Sequence, residues 1–105
     1  MMCAPNRHVS WRTSPMHAAL VAVKIDPDQA DASQAALESQ VVPMVKAAPG
    51  FIAGYWMEPV DDNAYSIVLF DTEEHARATA PPEGASPAPG VIVVRSEFRG
   101  VIAHA

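Results

Sequence analysis

The side chains able to do chemistry are thinly spread: two tyrosines, two tryptophans, four histidines and one cysteine in 105 residues. Tyr55 and Trp56 stand side by side, Tyr65 follows, then His75, and Arg95 comes late in the chain. An indole or phenol ring stacks on a flat apolar molecule. An imidazole or phenol can take a proton from a bound substrate, and a guanidinium can orient an acidic one. On residue type, the candidates for proton transfer are therefore His75 and Tyr65, and those for holding a substrate are Trp56, Tyr55, Met44 and Arg95.

Each candidate has a plainer reading. Neighbours on a strand point to opposite faces, so at most one of Tyr55 and Trp56 can line a given pocket, and both can equally be packing residues. Tyr65 suits cross-strand aromatic packing. His75 follows Glu73 and Glu74 and reads equally well as a solvated helix residue. Arg95, Glu97 and Arg99 share one parity, as expected of a surface ion-pair row. Met16, Met44 and Met57 are adaptable packing residues, though a wall of methionine and aromatics also suits a flat hydrophobic ligand. His17 and His104 fall on the first and last strands, which are not expected to be neighbours, so no metal site is expected. Cys3 has nothing nearby to lower its pKa.

Composition narrows the classes. One domain is expected at this length, burying roughly 60–65% of the unfolded chain's surface. Half of the residues are hydrophobic, only 18% are charged and the net charge is −5. That balance argues against a nucleic-acid or anionic-membrane surface and for apolar surface covered by a second copy of the chain. The single cysteine and the lack of a signal-like or membrane-spanning apolar run lead to the expectation of a cytoplasmic protein.

The elements that must position the candidates follow from pattern. Residues 1–15 have no apolar period and read as a tail, with Met16 a plausible natural start, ahead of one domain over residues 16–105. His17–Ile25 is a short Val/Ile-rich run expected to be a buried strand. Asp26-Pro27 or Asp31 starts a helix running to about Ala48, with Leu37, Val41, Met44, Val45 and Ala48 on one stripe. Pro43 should bend it, and Pro49-Gly50 suits the centre of a type II turn. Phe51–Glu58 and Ala64–Asp71 form a hairpin across Asp-Asp-Asn. Asp71 should cap a short second helix from Thr72 to Ala80. A proline-rich loop leads to a last strand over Val91–Ala105, bulged near Gly100. The order βαββαβ is the ferredoxin-like α+β arrangement: a four-stranded antiparallel sheet with two helices on one face. Its strands carry large apolar residues on both parities, so the uncovered face is expected to meet another subunit in a homodimer.

The run Val42-Pro43 through Pro49-Gly50-Phe51, with Gly54-Tyr55-Trp56, then Ser66 to Glu74 and Ala76-Arg77-Ala78, resembles the antibiotic-biosynthesis-monooxygenase-like (ABM) members of the dimeric α/β-barrel superfamily. The resemblance covers about residues 16–105. It implies a ferredoxin-like subunit whose sheet packs on that of a partner, with a pocket between sheet and helices. It also implies a possible cofactor-independent monooxygenase acting on a small aromatic or hydrophobic molecule, or else a non-catalytic homodimeric small-ligand-binding or structural module. No cofactor is expected. Strand one reads Leu20-Val21-Ala22-Val23, without the asparagine of the family's haem-degrading branch, and helix two has His75 without that branch's tryptophan. Oxygen chemistry of this kind needs a substrate that becomes an electron-rich carbanion, with Trp56 or Tyr55 stacking on it and His75 or Tyr65 accepting its proton.

Overall fold

A computed structural model of the chain describes residues 15–105. The expected tail lies outside the described residues apart from Pro15, as does the reading of Cys3. The described chain is α+β and runs β1 (His17–Ile25), a helical layer, β2 (Phe51–Trp56), β3 (Asn63–Phe70), a second helix and β4 (Val91–Gly100). The helical layer opens with a 3-10 turn (Pro27–Gln29) and continues as α1 (Ala30–Ala36), a π turn (Leu37–Val41) and α2 (Val42–Lys46); the second helix is α3 (Glu73–Thr79). All four strands form one sheet in the order β2-β3-β1-β4 with every neighbouring pair antiparallel, an architecture compatible with the ferredoxin-like arrangement. No helix among the described residues is long and apolar enough to cross a membrane.

Local chemistry explains the joints. Asp26 accepts a hydrogen bond from the Asp28 N–H and Pro27 takes the first turn, so the first of the two expected helix starts is used. Pro43 lacks the N–H that would close a bond to the carbonyl four residues back. The turn before it is widened, with the Val42 N–H reaching the Leu37 carbonyl, so a π turn stands beside Pro43, where a bend was expected. At the chain reversal the Phe51 N–H donates to the Ala48 carbonyl, and Gly50 has φ of 80°. That is the type II geometry expected of Pro49-Gly50. Asp61 and Asp62 both have positive φ, at 51° and 67°, between mutually bonded Val60 and Asn63, as in a type I′ hairpin.

Three expectations change. The first and last strands are neighbours: β1 pairs along its length with β4, and His17 lies opposite Gly100. In a βαββαβ sheet the crossover through α3 returns the chain beside β1, on the side away from β3, so the expected separation was mistaken. The bulge in β4 lies not at Gly100 but where the register shifts between Arg95 and Val93. The extra residue there, Val94, turns Val91 and Val93 and then Ser96 and Phe98 to the same helix-covered face. The cap of α3 is Thr72, whose hydroxyl accepts from the His75 N–H at 3.1 Å. Asp71 is displaced from that role because its carboxylate is held by the His75 ring and its N–H by the Gly50 carbonyl.

The core sits between the sheet and the helices. Ala19, Val45, Val68, Phe70 and Ala76 are its buried centre, with Val41, Phe51, Trp56 and Phe98 packed around it. Phe70 is 1% exposed. One edge of the core is closed by the proline-rich loop: the backbones of Gly84 and Ala85 bond both polar groups of Val93, protecting the edge of β4. Buried Ser33 on α1 places its one hydroxyl proton between the carbonyls of Gln29 and Pro89, tying the helical layer to that loop.

Candidate functional site

A cavity of about 570 Å³ opens between the helical layer and the sheet, within the range usual for small-molecule sites. Its floor is the helix-facing parity of the strands, with Val21 on β1 and Ser66 and Val68 on β3; its roof includes Leu37, Val41 and Val45. Register sets three floor residues abreast, because Ser66 lies opposite Val21 on one side and opposite Trp56 on the other. The sheet thus offers an indole, a hydroxyl and a branched aliphatic side chain in one row.

Trp56 is the aromatic residue of the Tyr55–Trp56 pair that faces this cavity. Its ring lies back along β2, so that a β-carbon at Gly54 would come within 2.8 Å of the far edge of the indole. Glycine is what lets the ring lie down against the sheet. Tyr55 is 61% exposed on the opposite face, opposite Ile67 of β3. The question left open by the sequence is therefore answered for the subunit: the indole goes to the cavity and the phenol to the uncovered face.

The other candidates separate. Met44 lines the cavity but is 63% exposed. Tyr65 borders the cavity and also a second hollow, of about 440 Å³, on the uncovered face. Arg95 lines only that second hollow, where Glu97 is shared between Arg95 at 3.5 Å and Arg99 at 2.7 Å. The three side chains thus pair with one another within the chain.

His75 lines neither hollow. Its Nδ1 lies 2.6 Å from Asp71 Oδ1, directly against the turn at Gly50. That hydrogen bond, reinforced by the nearby imidazole charge when present, holds the Asp71 carboxyl below the ordinary carboxylate range. Glu73 is likewise lowered, first by the hydrogen bond that Arg77 donates at 2.7 Å, while the Arg77 guanidinium stacks 4.4 Å from the Phe98 ring centre. His17 donates from Nδ1 to the Pro15 carbonyl at 2.9 Å, and its Nε2 approaches Glu73 at 3.8 Å. His104 lies beyond β4 and is exposed. Among the described residues no three His, Cys, Asp or Glu side chains gather as a metal site would require.

Two kinds of site residue escaped the sequence reading. Ser66 is half-buried on the cavity floor, and its hydroxyl has no hydrogen-bond partner among the described residues. The signal was present: Ser66 shares the inward parity of Ala64, Val68 and Phe70, where every other residue is apolar. The carboxylates at the cavity, Glu38 and Glu58, carried no such signal, because their placement depends on how the helical layer sits over the sheet. Compared with known proteins, the chain matches no family model, no curated protein and no solved structure.

Proposed function

We propose that the chain is an ABM-like homodimer that takes up a small, flat, mostly apolar molecule between its helical layer and its sheet. The observation that carries this reading is the cavity itself: a space of about 570 Å³ walled by aliphatic side chains, with Trp56 on one side and the unpartnered hydroxyl of Ser66 on the floor. An apolar wall supplies affinity and the few polar side chains along it supply orientation. Covering about 200 Å² of a two-ring molecule at roughly 25 cal/mol per Å² supplies about 5 kcal/mol, which corresponds to sub-millimolar binding.

The homodimer is supported by the uncovered sheet face. It presents half-buried Leu20, Ile67 and Leu69 beside exposed Tyr55, Tyr65 and Ile92, too much apolar surface to leave in water. The Arg95–Glu97–Arg99 row beside it carries both signs of charge. A surface with both signs can complement its own copy across a twofold axis.

Calorimetric titration with 1-naphthol tests the binding reading. Trp56→Ala should abolish most of the heat while leaving the dimer intact, and Tyr55→Ala should leave the heat and weaken the dimer. Equal effects of the two substitutions on binding, or no binding by the unsubstituted protein, would refute it.

A second reading, oxygenation of the bound molecule, rests on Tyr65, the tyrosine shared by the linings of the cavity and of the hollow on the uncovered face. An anthrone-type methylene that loses a proton becomes an electron-rich carbanion able to reduce dioxygen. One oxygen atom stays as a new carbonyl and the other leaves as water. Oxygen uptake with anthrone that is lost in Tyr65→Phe supports this reading, and no uptake above the uncatalysed rate rejects it.

A further inference from the structure

We infer that the cavity selects for a flat apolar molecule carrying a cationic amine and discriminates against carboxylates; this rests on the binding reading above. The charged side chains lining the cavity among the described residues are two carboxylates, Glu38 on the π turn and Glu58 just after β2. No lysine, arginine or histidine of the described chain lines it. Arg77 binds Glu73 and covers Phe98, and Arg95 and Arg99 share Glu97 on the far face, while Lys24 and Lys46 do not line the cavity.

Neither cavity carboxylate is neutralised from within. Glu38 accepts only from the Gln34 amide at 3.1 Å, and the Glu58 side chain has no ion-pair or hydrogen-bond partner among the described residues. The two come from opposite sides, Glu38 from the roof and Glu58 from the end of the strand that carries Trp56. Beneath them lies the row of Trp56, Ser66 and Val21. A molecule whose rings rest on that row and whose amine reaches the opening gains attraction from both carboxylates, and the indole face attracts a cation as well. A carboxylate in the same pose meets two like charges and no cationic side chain of the described residues, which is the repulsive half of a specificity device.

The test uses the full-length protein and three probes that share one ring system: 1-naphthylmethylamine, 1-naphthalenemethanol and 1-naphthoate. Titration calorimetry at pH 7 and low salt should rank the amine tightest, roughly threefold to tenfold above the alcohol, as partly exposed charge pairs allow, with the carboxylate weakest. The preference of amine over alcohol should shrink in 0.5 M salt and in Glu38→Gln/Glu58→Gln. Equal binding of all three probes, or a preference for naphthoate, overturns the charge selection and leaves the cavity reading standing. Failure of all three to bind overturns both.

Discussion

The turn at Gly50 offers the most direct check on how the structure is held together. Gly50 has φ of 80°, and a β-carbon there would run into Asp71 Oδ1 and His75 Nδ1. Gly50→Ala therefore brings two separable costs. Holding a residue with a β-carbon in the left-handed region costs about 1–2 kcal/mol, and the methyl must also push aside the ends of the exposed Asp71 and His75 side chains, which adds a smaller cost. Even the first part is a sizeable fraction of the roughly 5–15 kcal/mol typical of a whole domain. Urea denaturation followed by circular dichroism reads it. Repeating the substitution in an Asp71→Ala/His75→Ala background removes the obstacle and should leave only the first part, about 1–2 kcal/mol. In that background Gly50→Asn should be nearly neutral, because asparagine tolerates positive φ. A cost that is the same in both backgrounds would show that Asp71 and His75 do not pack on the turn, and the placement of His75 outside the cavity would fall with it.

Phe70→Ala should destabilise by about 3–5 kcal/mol in the same assay, since the ring is buried at the centre of the core with little freedom to collapse around the void. Asp71 and Glu73 have carboxyls lowered in the folded state by hydrogen bonds from His75 and Arg77. A lowered folded pKa means that their stabilisation is complete above the unfolded values, about 4, and lost as pH falls through the lower folded ones. The urea midpoint should therefore decline between about pH 5 and 2, and less steeply in Asp71→Asn/Glu73→Gln. Ile67→Arg on the uncovered face should give a monomer in analytical ultracentrifugation at micromolar concentration, with unchanged far-ultraviolet dichroism; a monomeric unsubstituted protein would reject the homodimer outright.

Where local chemistry decides, the sequence was legible. Proline followed by glycine after an apolar stripe allows few geometries, and the chain adopts the expected one at Pro49-Gly50. From Ala64 to Phe70 both parities of β3 are apolar apart from Ser66, so the strand was legible but not which of its faces turns inward. Where two local solutions compete, pattern failed. Asp71 and Thr72 both offer an oxygen to the start of α3, and the winner is decided by His75 and Gly50, one of them twenty-one residues earlier in the chain. Likewise the bulge at Val94 has no local signal in a run of Val and Ile. It exists because Val93 and Phe98 must both face the helices, a demand set by the partners in the core. The cavity was least legible, because an empty volume is the residue of how two layers meet, not a property of either layer.

One consequence of that geometry joins the cavity to the uncovered face. Tyr55 and Trp56 are adjacent, so a single strand register assigns one aromatic to each face, and a slip of one residue would exchange them. β2 is an edge strand whose pairing with β3 is already irregular between Phe51 and Ala53, and edge strands are where register is most easily lost. The assignment is held beyond that irregularity by three devices: the hairpin turn with positive φ at Asp61 and Asp62, the Met57 N–H bonded to the Tyr65 carbonyl at 3.0 Å, and the indole lying over Gly54. The last is the most telling. A residue with a side chain at position 54 would lift Trp56 off the sheet and into the space a ligand would use, so the glycine keeps the register's product, an indole wall beside an empty volume, from closing on itself.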